Sequence, residues 1–230
     1  MAPAIPPLPE TLPADPLPLL ATWLAEAAKT IRNSTAMTLA TVDGNGRPAA
    51  RMVICRGFDA TTGTFVFYTD RESDKGAELA ARPWAALVFH WDAVERQVRV
   101  AGPVTDVPDT ESDAYWAGRP PDARAAAAAS EQSRPLASRA AFLARIADVT
   151  ARAGGGDVSR PKRWGGYRVW AERVELWVGQ PGRAHDRARW TRPLTRAGEA
   201  FAGGPWLGTM HHESNCRSLS TLRNQCAGLR

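Results

Sequence analysis

Residues 51–75, RMVICRGFDATTGTFVFYTDRESDK, hold the pattern that decides the fold. Apolar and polar side chains alternate on both sides of a turn at residues 59–63, which indicates two paired β-strands. Cations stand at the strand ends and hydroxyl groups lie near them: Arg51, Arg56, Lys75, Tyr68, Thr69 and Ser73. These groups predict a cradle for a phosphorylated ligand. The alternative is an ordinary amphipathic hairpin whose charges are solvated.

The sequence on either side continues the β pattern. The segments that read as strands cover residues 36–42, 48–55, 64–68, 84–91, 97–107 and 167–178. The turn Asp43-Gly44-Asn45-Gly46 is typical of a hairpin, so the first three segments are expected to form an antiparallel meander. Helices occur only as insertions between strands. This arrangement predicts a mainly β fold with peripheral helices, of the α+β class, built on a closed or nearly closed β-barrel.

Five segments are expected to be helical. The first begins at Asp15, a good N-cap, with Pro16 at the first helical position and a periodic apolar face on which Trp23 is expected to pack into the core. The others cover residues 75–81, 110–118, 123–129 and 136–149. The segment 123–129 is almost pure alanine, so it favours helix by propensity but has no large side chain with which to anchor itself.

The 230 residues are long enough for one full domain, which is expected over residues 15–209. A proline-rich extended arm is expected over residues 1–14, and a disordered or non-native tail over residues 210–230. His211 and His212 in that tail leave a metal site open as the less favoured alternative. The three cysteines form no CxxC pair, so neither a disulfide scaffold nor a cysteine zinc site is expected.

Composition narrows the class of partner. The formal net charge of +5 is spread without a basic run, which favours small anionic ligands over nucleic acid. No apolar run approaches the ~20 residues of a membrane-spanning helix, so no membrane partner is expected. The first residues lack the basic and apolar regions of a signal peptide and the arginines of a transit peptide. The protein is therefore expected in the cytoplasm.

The sharpest local feature is GRAHDR at residues 182–187. If this segment is extended, alternation places Arg183, His185 and Arg187 on one face and Asp186 on the other. Three potential cations on one face repel one another unless an anion or an electron-rich ring lies opposite them. The alternative is a solvated basic edge that discourages strand pairing.

Seven short motifs occur in the order found in one enzyme family. They are Arg51-Met52-Val53, Phe67-Tyr68-Thr69, Ser73-x-Lys75-Gly76, Glu95-Arg96-Gln97-Val98, Gln132-Ser133, Trp164-Gly165-Gly166-Tyr167-Arg168-Val169 and Arg183-x-His185-Asp186-Arg187. Over residues 12–192 the chain therefore resembles the pyridoxine/pyridoxamine 5'-phosphate oxidases. The resemblance implies a homodimer of FMN-binding split β-barrels with two FMN sites at the subunit interface. It also implies that the C4' amine or alcohol of a phosphorylated pyridine substrate is oxidised to an aldehyde while O2 is reduced to H2O2.

The resemblance implies roles for individual residues. The implied FMN contacts are Arg51, Met52, Val53, Tyr68, Thr69, Lys75, Gln97, Gln132, Ser133, Trp177 and Arg187. The implied substrate contacts are Arg56, Tyr115, Arg119, Arg183 and His185, of which Arg183 and His185 are the implied catalytic pair. Arginine and lysine suit phosphate because charge-assisted hydrogen bonds are the strong ones. His185 is also expected to assist proton movement, since imidazole changes charge near neutral pH.

Four positions depart from the usual pattern of the family. Arg56 stands where lysine is usual, Ala123 replaces a serine, Asp74 occupies the place of an arginine beside the FMN phosphate, and Ala128 that of a tryptophan. The FMN determinants thus survive better than the substrate determinants. Two other functions stay open: a related flavin oxidase that acts on reduced phenazine-type tricyclic acids, and a non-catalytic carrier of FMN or pyridoxal 5'-phosphate.

Overall fold

A computed structural model describes residues 5–154, 156–197 and 200–213. Over these residues the α-helices are α1 (Leu17–Thr30), α2 (Asp74–Ala81), α3 (Asp109–Ala117), α4 (Pro121–Ala129) and α5 (Arg139–Arg152). The strands are β1 (Ala36–Val42), β2 (Pro48–Ile54), β3 (Gly57–Asp59), β4 (Thr64–Asp70), β5 (Trp84–Trp91), β6 (Arg96–Asp106), β7 (Trp164–Trp170), β8 (Arg173–Val178), β9 (His185–Thr191), β10 (Leu194–Ala197), β11 (Ala200–Gly203) and β12 (Leu207–Glu213). Short 3-10 helices lie at Asp92–Val94 and Pro181–Arg183.

The long strand β6 joins two parts of the main sheet. One part has the order β12-β9-β8-β6-β5-β1-β2, and the other contains β3, β4 and β7. The first half of β6 pairs with β8, whereas its end at Val104, Thr105 and Asp106 pairs with β7. The strands therefore diverge at one edge of β6, as in a split barrel. The mainly β fold with inserted helices is confirmed.

The core lies on one side of this curved sheet and is closed by α1. Leu39, Phe67, Phe89, Leu176 and Trp190 are fully buried, and each comes from a different strand. The buried residues of α1 lie at helical spacing, at Leu17, Leu20, Trp23 and Ala27. Trp23 packs into the core, as predicted. Burial of each large apolar side chain contributes roughly 1.5–3 kcal/mol.

The structure corrects the strand pairing predicted for residues 51–75. Strand β2 pairs along its length with β1 and not with β4, so the predicted three-stranded meander is wrong. The short β3 forms the hairpin with β4 instead, and β7 flanks β4 on the other side. The chain changes partners between two residues: the N–H of Cys55 donates to Thr35, whereas the N–H of Arg56 donates to Val66. Backbone hydrogen bonding thus passes from one part of the sheet to the other.

The alternation of apolar and polar residues in β2 does not place the apolar residues in the core. Met52 and Ile54, the apolar residues of this pattern, are 63% and 37% exposed. They lie on the face of the sheet that points away from the core. Large exposed apolar side chains on a regular strand are typical of an interaction surface.

The helices form largely where they were predicted, with two refinements. The alanine-rich helix α4 is anchored after all, because Arg124 is buried and its Nη2 lies 2.8 Å from Oδ1 of Asp157. Helix α5 begins later than residue 136. The hydroxyl of Ser138 accepts from the N–H of Ala141 and caps the helix, so its first turn starts at Arg139.

The boundary predicted for the C-terminal tail needs correction. Strand β12 pairs with β9 from Leu207 opposite Thr191 to Glu213 opposite His185, so residues 210–213 belong to the sheet. The rest of the predicted tail, residues 214–230, lies outside the described residues. At the other end, Leu8 is buried and its N–H donates to Asp186. Among the described residues, none of the helices is long and apolar enough to cross a membrane.

Candidate active site

A polar cavity of about 280 Å³ opens between β2, β4, α2 and α3. Its lining residues are Met52, Val53, Ile54, Arg56, Tyr68, Thr69, Lys75, Tyr115, Arg119 and Gln132. Nine of them are site residues implied by the family resemblance, and they come from four separate segments of the chain. We call this set the cavity group. Ile54 is the one member that was not predicted.

Lys75 is the half-buried cation of the cavity group. Its Nζ donates to Oγ of Ser73 at 2.9 Å and to Oε1 of Gln132 at 2.8 Å. The hydroxyl of Thr69 donates to the same Gln132 oxygen at 3.1 Å. Burial, with the nearby charge of Arg51, lowers the pKa of Lys75 below its usual 10.5. Because both hydrogen-bond partners are neutral, a bound anion would stabilise the charged ammonium.

The turn before α2 sets the position of Lys75. A Cβ on Gly76 would lie 2.0 Å from the carbonyl oxygen of Arg71, so only glycine allows this close approach. The hydroxyl of Ser133 accepts from the N–H of Asp74 at 3.1 Å. The Asp74 side chain is exposed and is not part of the cavity lining. The acidic departure at this position therefore leaves the cavity without a carboxylate from residue 74.

Stacked aromatic rings form one wall of the cavity. The rings of Tyr68 and Tyr115 are parallel, with centroids 4.0 Å apart, and Trp164 stacks on Tyr68 at 5.4 Å. Gly166 pairs with Tyr68 across the sheet, and a Cβ there would lie 2.7 Å from the Tyr68 ring. The missing side chain at Gly166 thus makes room for the stack. Trp164 was quoted in a motif but not predicted as a site residue.

Arg119 lies over this stack and has one buried N–H donor that the described part of the chain does not use. Its guanidinium carbon is 5.0 Å from the centre of the Trp164 ring, and Nη2 donates to the carbonyl of Ala123 at 3.2 Å. The Nε of Arg119 is buried and has no hydrogen-bond partner among the described residues. An acceptor on a ligand would satisfy it.

Arg51 takes a different position from the cavity group. Its Nη2 lies 2.7 Å from Oε2 of Glu78 on α2, and its Nη1 donates to the hydroxyl of Thr41. Glu78 is buried, so this pair fixes α2 against β2. Arg51 is not part of the cavity lining. Its implied contact with FMN stays a prediction.

Three other predicted FMN contacts, Gln97, Trp177 and Arg187, lie on a different part of the sheet. Gln97 pairs with Trp177, and Trp177 pairs with Arg187, so the three stand side by side on β6, β8 and β9. The ring of His185 is 4.8 Å from that of Trp177. We call Gln97, Trp177, His185 and Arg187 the strand row. Its members alternate along their strands with core residues and therefore face away from the core.

The cavity group and the strand row do not meet along the sheet of one chain. Three strands, β6, β5 and β1, separate β8 from β2. At ~4.8 Å per strand, β8 lies about 19 Å from β2 measured across the sheet. None of the strand row lines the cavity.

The predicted extended face at residues 183–187 is correct only from His185 onwards. Arg183 belongs to the 3-10 helix Pro181–Arg183 and has a φ of 63°, so it does not share the strand with His185 and Arg187. The Pro181-Gly182 dipeptide favours a turn over a strand. Asp186 points to the opposite face, as predicted, where it accepts from Leu8. The N–H of Gln180 donates to Nδ1 of His185 at 3.1 Å, so neutral His185 carries its proton on Nε2.

A buried carboxylate that was not predicted lies next to the strand row. Glu175 is 4% exposed. It accepts from Arg187, Arg189 and Arg99 at 2.7, 2.8 and 3.0 Å. Burial raises the pKa of Glu175, but the arginines outweigh burial and hold the pKa below the usual 4.5. A carboxylate inside the run RVELWV, between apolar residues, is the signal that could have identified it.

Comparison with known proteins agrees with this arrangement. A family model described as pyridoxamine 5'-phosphate oxidase matches residues 24–153. A second one, described as the C-terminal dimerisation region of pyridoxine 5'-phosphate oxidase, matches residues 164–207 and supports a homodimer. Both the cavity group and the strand row fall within these two matches.

Individual relatives agree as well. The pyridoxine/pyridoxamine 5'-phosphate oxidase of Rhodopseudomonas palustris (strain TIE-1) is 50% identical over 197 residues, which cover 83% of this chain and 92% of that protein. Among solved structures, PhzG from Burkholderia lata 383, in complex with tetrahydrophenazine-1-carboxylic acid, is 31% identical with a TM-score of 0.76, and the match covers 87% of this chain and 94% of that one. A pyridoxamine 5'-phosphate oxidase-related FMN-binding protein from Nostoc punctiforme PCC 73102, 19% identical over 85% of this chain and 98% of that one, shares the fold with a TM-score of 0.63.

These matches confirm the family that the seven motifs predicted. The first family model alone spans more than half of the 230 residues, and the relative at 50% identity is matched over nearly its whole length. The chain belongs to the pyridoxine/pyridoxamine 5'-phosphate oxidase family.

Proposed function

We propose that the protein is an FMN-dependent oxidase that converts pyridoxamine 5'-phosphate or pyridoxine 5'-phosphate to pyridoxal 5'-phosphate, with O2 reduced to H2O2. The name and 50% identity of the Rhodopseudomonas relative support the activity. The observation that carries the proposal is the cavity group, in which Lys75 binds only neutral oxygens and Arg119 has a spare buried donor. Such a site fits a phosphorylated ligand.

The donors present suit two phosphate-bearing molecules. Lys75 lies in the first turn of α2, where backbone N–H groups also favour an anion. The hydroxyl of Ser133 accepts from this turn, and Thr69 shares Gln132 with Lys75, so the three residues would hold the phosphate of FMN together. Arg56, Tyr115 and Arg119 also line the cavity and would hold the phosphate of the substrate. Arginine offers several N–H donors in a planar fork, so Arg56 preserves the charge of the usual lysine with a different geometry.

A second copy of the chain would complete the site. The strand row and the exposed Met52 and Ile54 belong to the same outward face of the sheet. In a two-fold dimer the same patch is used by both copies, so the strand row of one copy can lie against the cavity group of the other. The separation of about 19 Å between β8 and β2 within one chain would then be bypassed by a contact between chains. In such a dimer FMN would lie at the subunit interface, in two equivalent sites.

In the reaction, bound FMN supplies the acceptor for two electrons from the substrate's C4' carbon. The chain's own residues bind and orient. The stacked rings of Tyr68 and Tyr115, supported by Trp164, exclude water from one side of the cavity. Arg183 and His185 cover the substrate ring from the partner chain. His185 presents an N–H at Nε2, because Nδ1 accepts from Gln180, and it assists proton movement at that nitrogen.

A second candidate is the oxidation of reduced phenazine-type acids. The likeness to PhzG, together with the absence of a hydroxyl at Ala123, favours it. The identity to PhzG is 31%, against 50% for the vitamin oxidase. Arg56 and Arg119 could pair with a carboxylate as well as a phosphate, so the higher identity decides between the two substrates. The vitamin substrate is therefore the better choice.

One experiment separates these functions from a non-catalytic carrier. The purified protein is examined for a flavin spectrum, and pyridoxamine 5'-phosphate is then added in air while aldehyde and peroxide are followed. We expect bound FMN and equal yields of both products. Flavin without turnover on this substrate, but with turnover on a reduced phenazine acid, would support the second candidate. Stoichiometric binding without peroxide would identify a carrier, and a protein that takes up no FMN would refute the proposal.

A further inference from the structure

Glu175 occupies an unusual place for a carboxylate. It lies in the middle of β8, on the outward face, yet it is only 4% exposed. Its register neighbours are Arg99 on β6 and Arg189 on β9, and both donate to it. These arginines cover the carboxylate and satisfy it, which explains how a charged group is tolerated there.

The same carboxylate also reaches the strand row. Oε1 of Glu175 accepts from Nη1 of Arg187 at 2.7 Å, although Arg187 stands opposite Trp177, two residues further along β8. The contact is therefore diagonal and draws the Arg187 guanidinium along the outward face. A long arginine side chain loses much rotamer freedom when it is held in this way. The orientation of Arg187 is thus determined before any ligand binds.

We propose that Glu175 is a positioning residue for the cofactor: it holds the Arg187 guanidinium in the orientation that meets FMN bound between two copies of the chain. This inference rests on the proposed function, because Arg187 contacts FMN only there. Glu175 itself does not touch the cofactor. It acts by removing the conformational choice that Arg187 would otherwise lose on binding, which is preorganisation.

Glu175→Gln is the variant that isolates this role. Glutamine has nearly the same shape, but one oxygen becomes an NH2 group, which cannot accept from a guanidinium. The hold on Arg187 is therefore weakened while the packing of β8 is kept. The matched control is Glu172→Gln, the same chemical change three residues earlier, between β7 and β8.

The test is a double-mutant cycle on FMN affinity, measured by titration of the flavin-free full-length protein. We expect Glu175→Gln to raise the FMN Kd about tenfold, and the control to leave it unchanged. In an Arg187→Gln background, Glu175→Gln should change the Kd by less than about twofold, because its effect passes through Arg187. The thermal midpoint of each flavin-free variant is recorded, since a purely structural role would lower stability without this coupling.

The outcomes separate the inference from the function on which it rests. If the unmodified protein binds no FMN, the proposed function fails. If it binds FMN and Glu175→Gln binds equally well, or if the Kd rises by the same factor in both backgrounds, only the inference is overturned. Should Glu175→Gln not fold, Glu175→Asp replaces it in the cycle. Aspartate keeps the charge but is one methylene shorter, so the same coupling with Arg187 is expected at smaller size.

Discussion

The cavity group and the strand row use charge in opposite ways. In the cavity group, Lys75 is half-buried and hydrogen-bonded to neutral oxygens, and burial lowers its pKa. Beside the strand row, Glu175 is buried among arginines that hold its pKa below the usual value. The first region carries a charge that is incompletely compensated until an anion binds. In the second region, the buried carboxylate of Glu175 is compensated by arginines of the same chain. This difference indicates that the cavity group binds the ligand and that the strand row presents a preorganised surface to it.

The shapes of the two regions agree with this division. The cavity group surrounds a volume of about 280 Å³, whereas the strand row is part of a regular sheet. A flat row of donors next to an indole ring cannot enclose a ligand alone. It can close a cavity that belongs to another copy of the chain.

The largest expected effect is on enzyme activity when the two regions are mutated in different chains of one dimer. Lys75→Met and Arg187→Gln should each lose most activity as homodimers. Co-expressed in equal amounts, they should recover about a quarter of normal activity, because half of the dimers are mixed and each mixed dimer has one intact site. Activity is measured on the mixture after subtraction of each parent's residual rate.

The control for this experiment is a pair of variants within the cavity group. Lys75→Met co-expressed with Arg119→Ala should recover nothing, because every cavity then carries one of the two changes. Recovery in this control, or none in the first mixture, would show that the two regions do not share a site across the interface.

The second effect is on FMN affinity. Lys75→Met removes a charged hydrogen bond to phosphate, worth about 1.5–3 kcal/mol, so the FMN Kd should rise about 10- to 150-fold. The thermal midpoint of the flavin-free protein should stay the same or increase, because a desolvated cation is removed. Lys162→Met, an exposed lysine, is the control. A lowered midpoint would mean that Lys75 is a structural cation rather than a ligand group.

The third effect separates turnover from cofactor binding. Arg183→Ala removes the guanidinium but keeps a residue with a Cβ at φ 63°. The backbone strain in the 3-10 turn is therefore unchanged. We expect kcat/KM to fall more than about tenfold and the FMN Kd to change less than about twofold. Steady-state kinetics and flavin titration give the two numbers. Equal losses in both would remove Arg183 from the substrate side.

The smallest effect is in the pH dependence of stability. The folded-state pKa of Lys75 is lowered from 10.5, so the unfolded chain binds the extra proton between the folded pKa and 10.5. The free energy of unfolding of the flavin-free protein should therefore rise with pH in this interval, relative to Lys75→Met. Glu175 also has a lowered pKa, so its contribution is present above 4.5 and is lost as pH falls through the folded pKa. Denaturant unfolding at several pH values tests both slopes. A slope of the opposite sign would contradict the burial of Lys75 in the first case and the ion pairing of Glu175 with its arginines in the second.

Much of the local structure could be predicted because the signals are local. Strands β1 and β5 were predicted with the boundaries found. Apolar and polar residues alternate in β1, which ends at the turn Asp43-Gly44, and β5 is an apolar run that begins directly after Pro83. The close grouping of Lys75, Thr69 and Gln132 also follows from motifs in family order. Arg183 was misplaced because alternation was extended through Pro181-Gly182, whose turn preference was given too little weight.

The features that the sequence did not predict depend on contacts between residues that are distant in sequence. The crossing of the chain at Cys55 and Arg56 needs two different strands to accept from adjacent residues. Glu175 is identified as important only when three arginines from β6 and β9 are seen around it. No pattern within a single segment contains this information.

The amino-acid sequence by itself determined the family, the mainly β class and the chemical types available to the site, because periodicity, turn residues and short motifs act over a few residues. The tertiary structure alone decided which strands are neighbours, that β2 shows its apolar residues to the outside, and that the site residues divide into an enclosing group and a flat row. Strand pairing and burial are settled by competition among all segments for the same core and the same hydrogen bonds, so no single stretch can decide them.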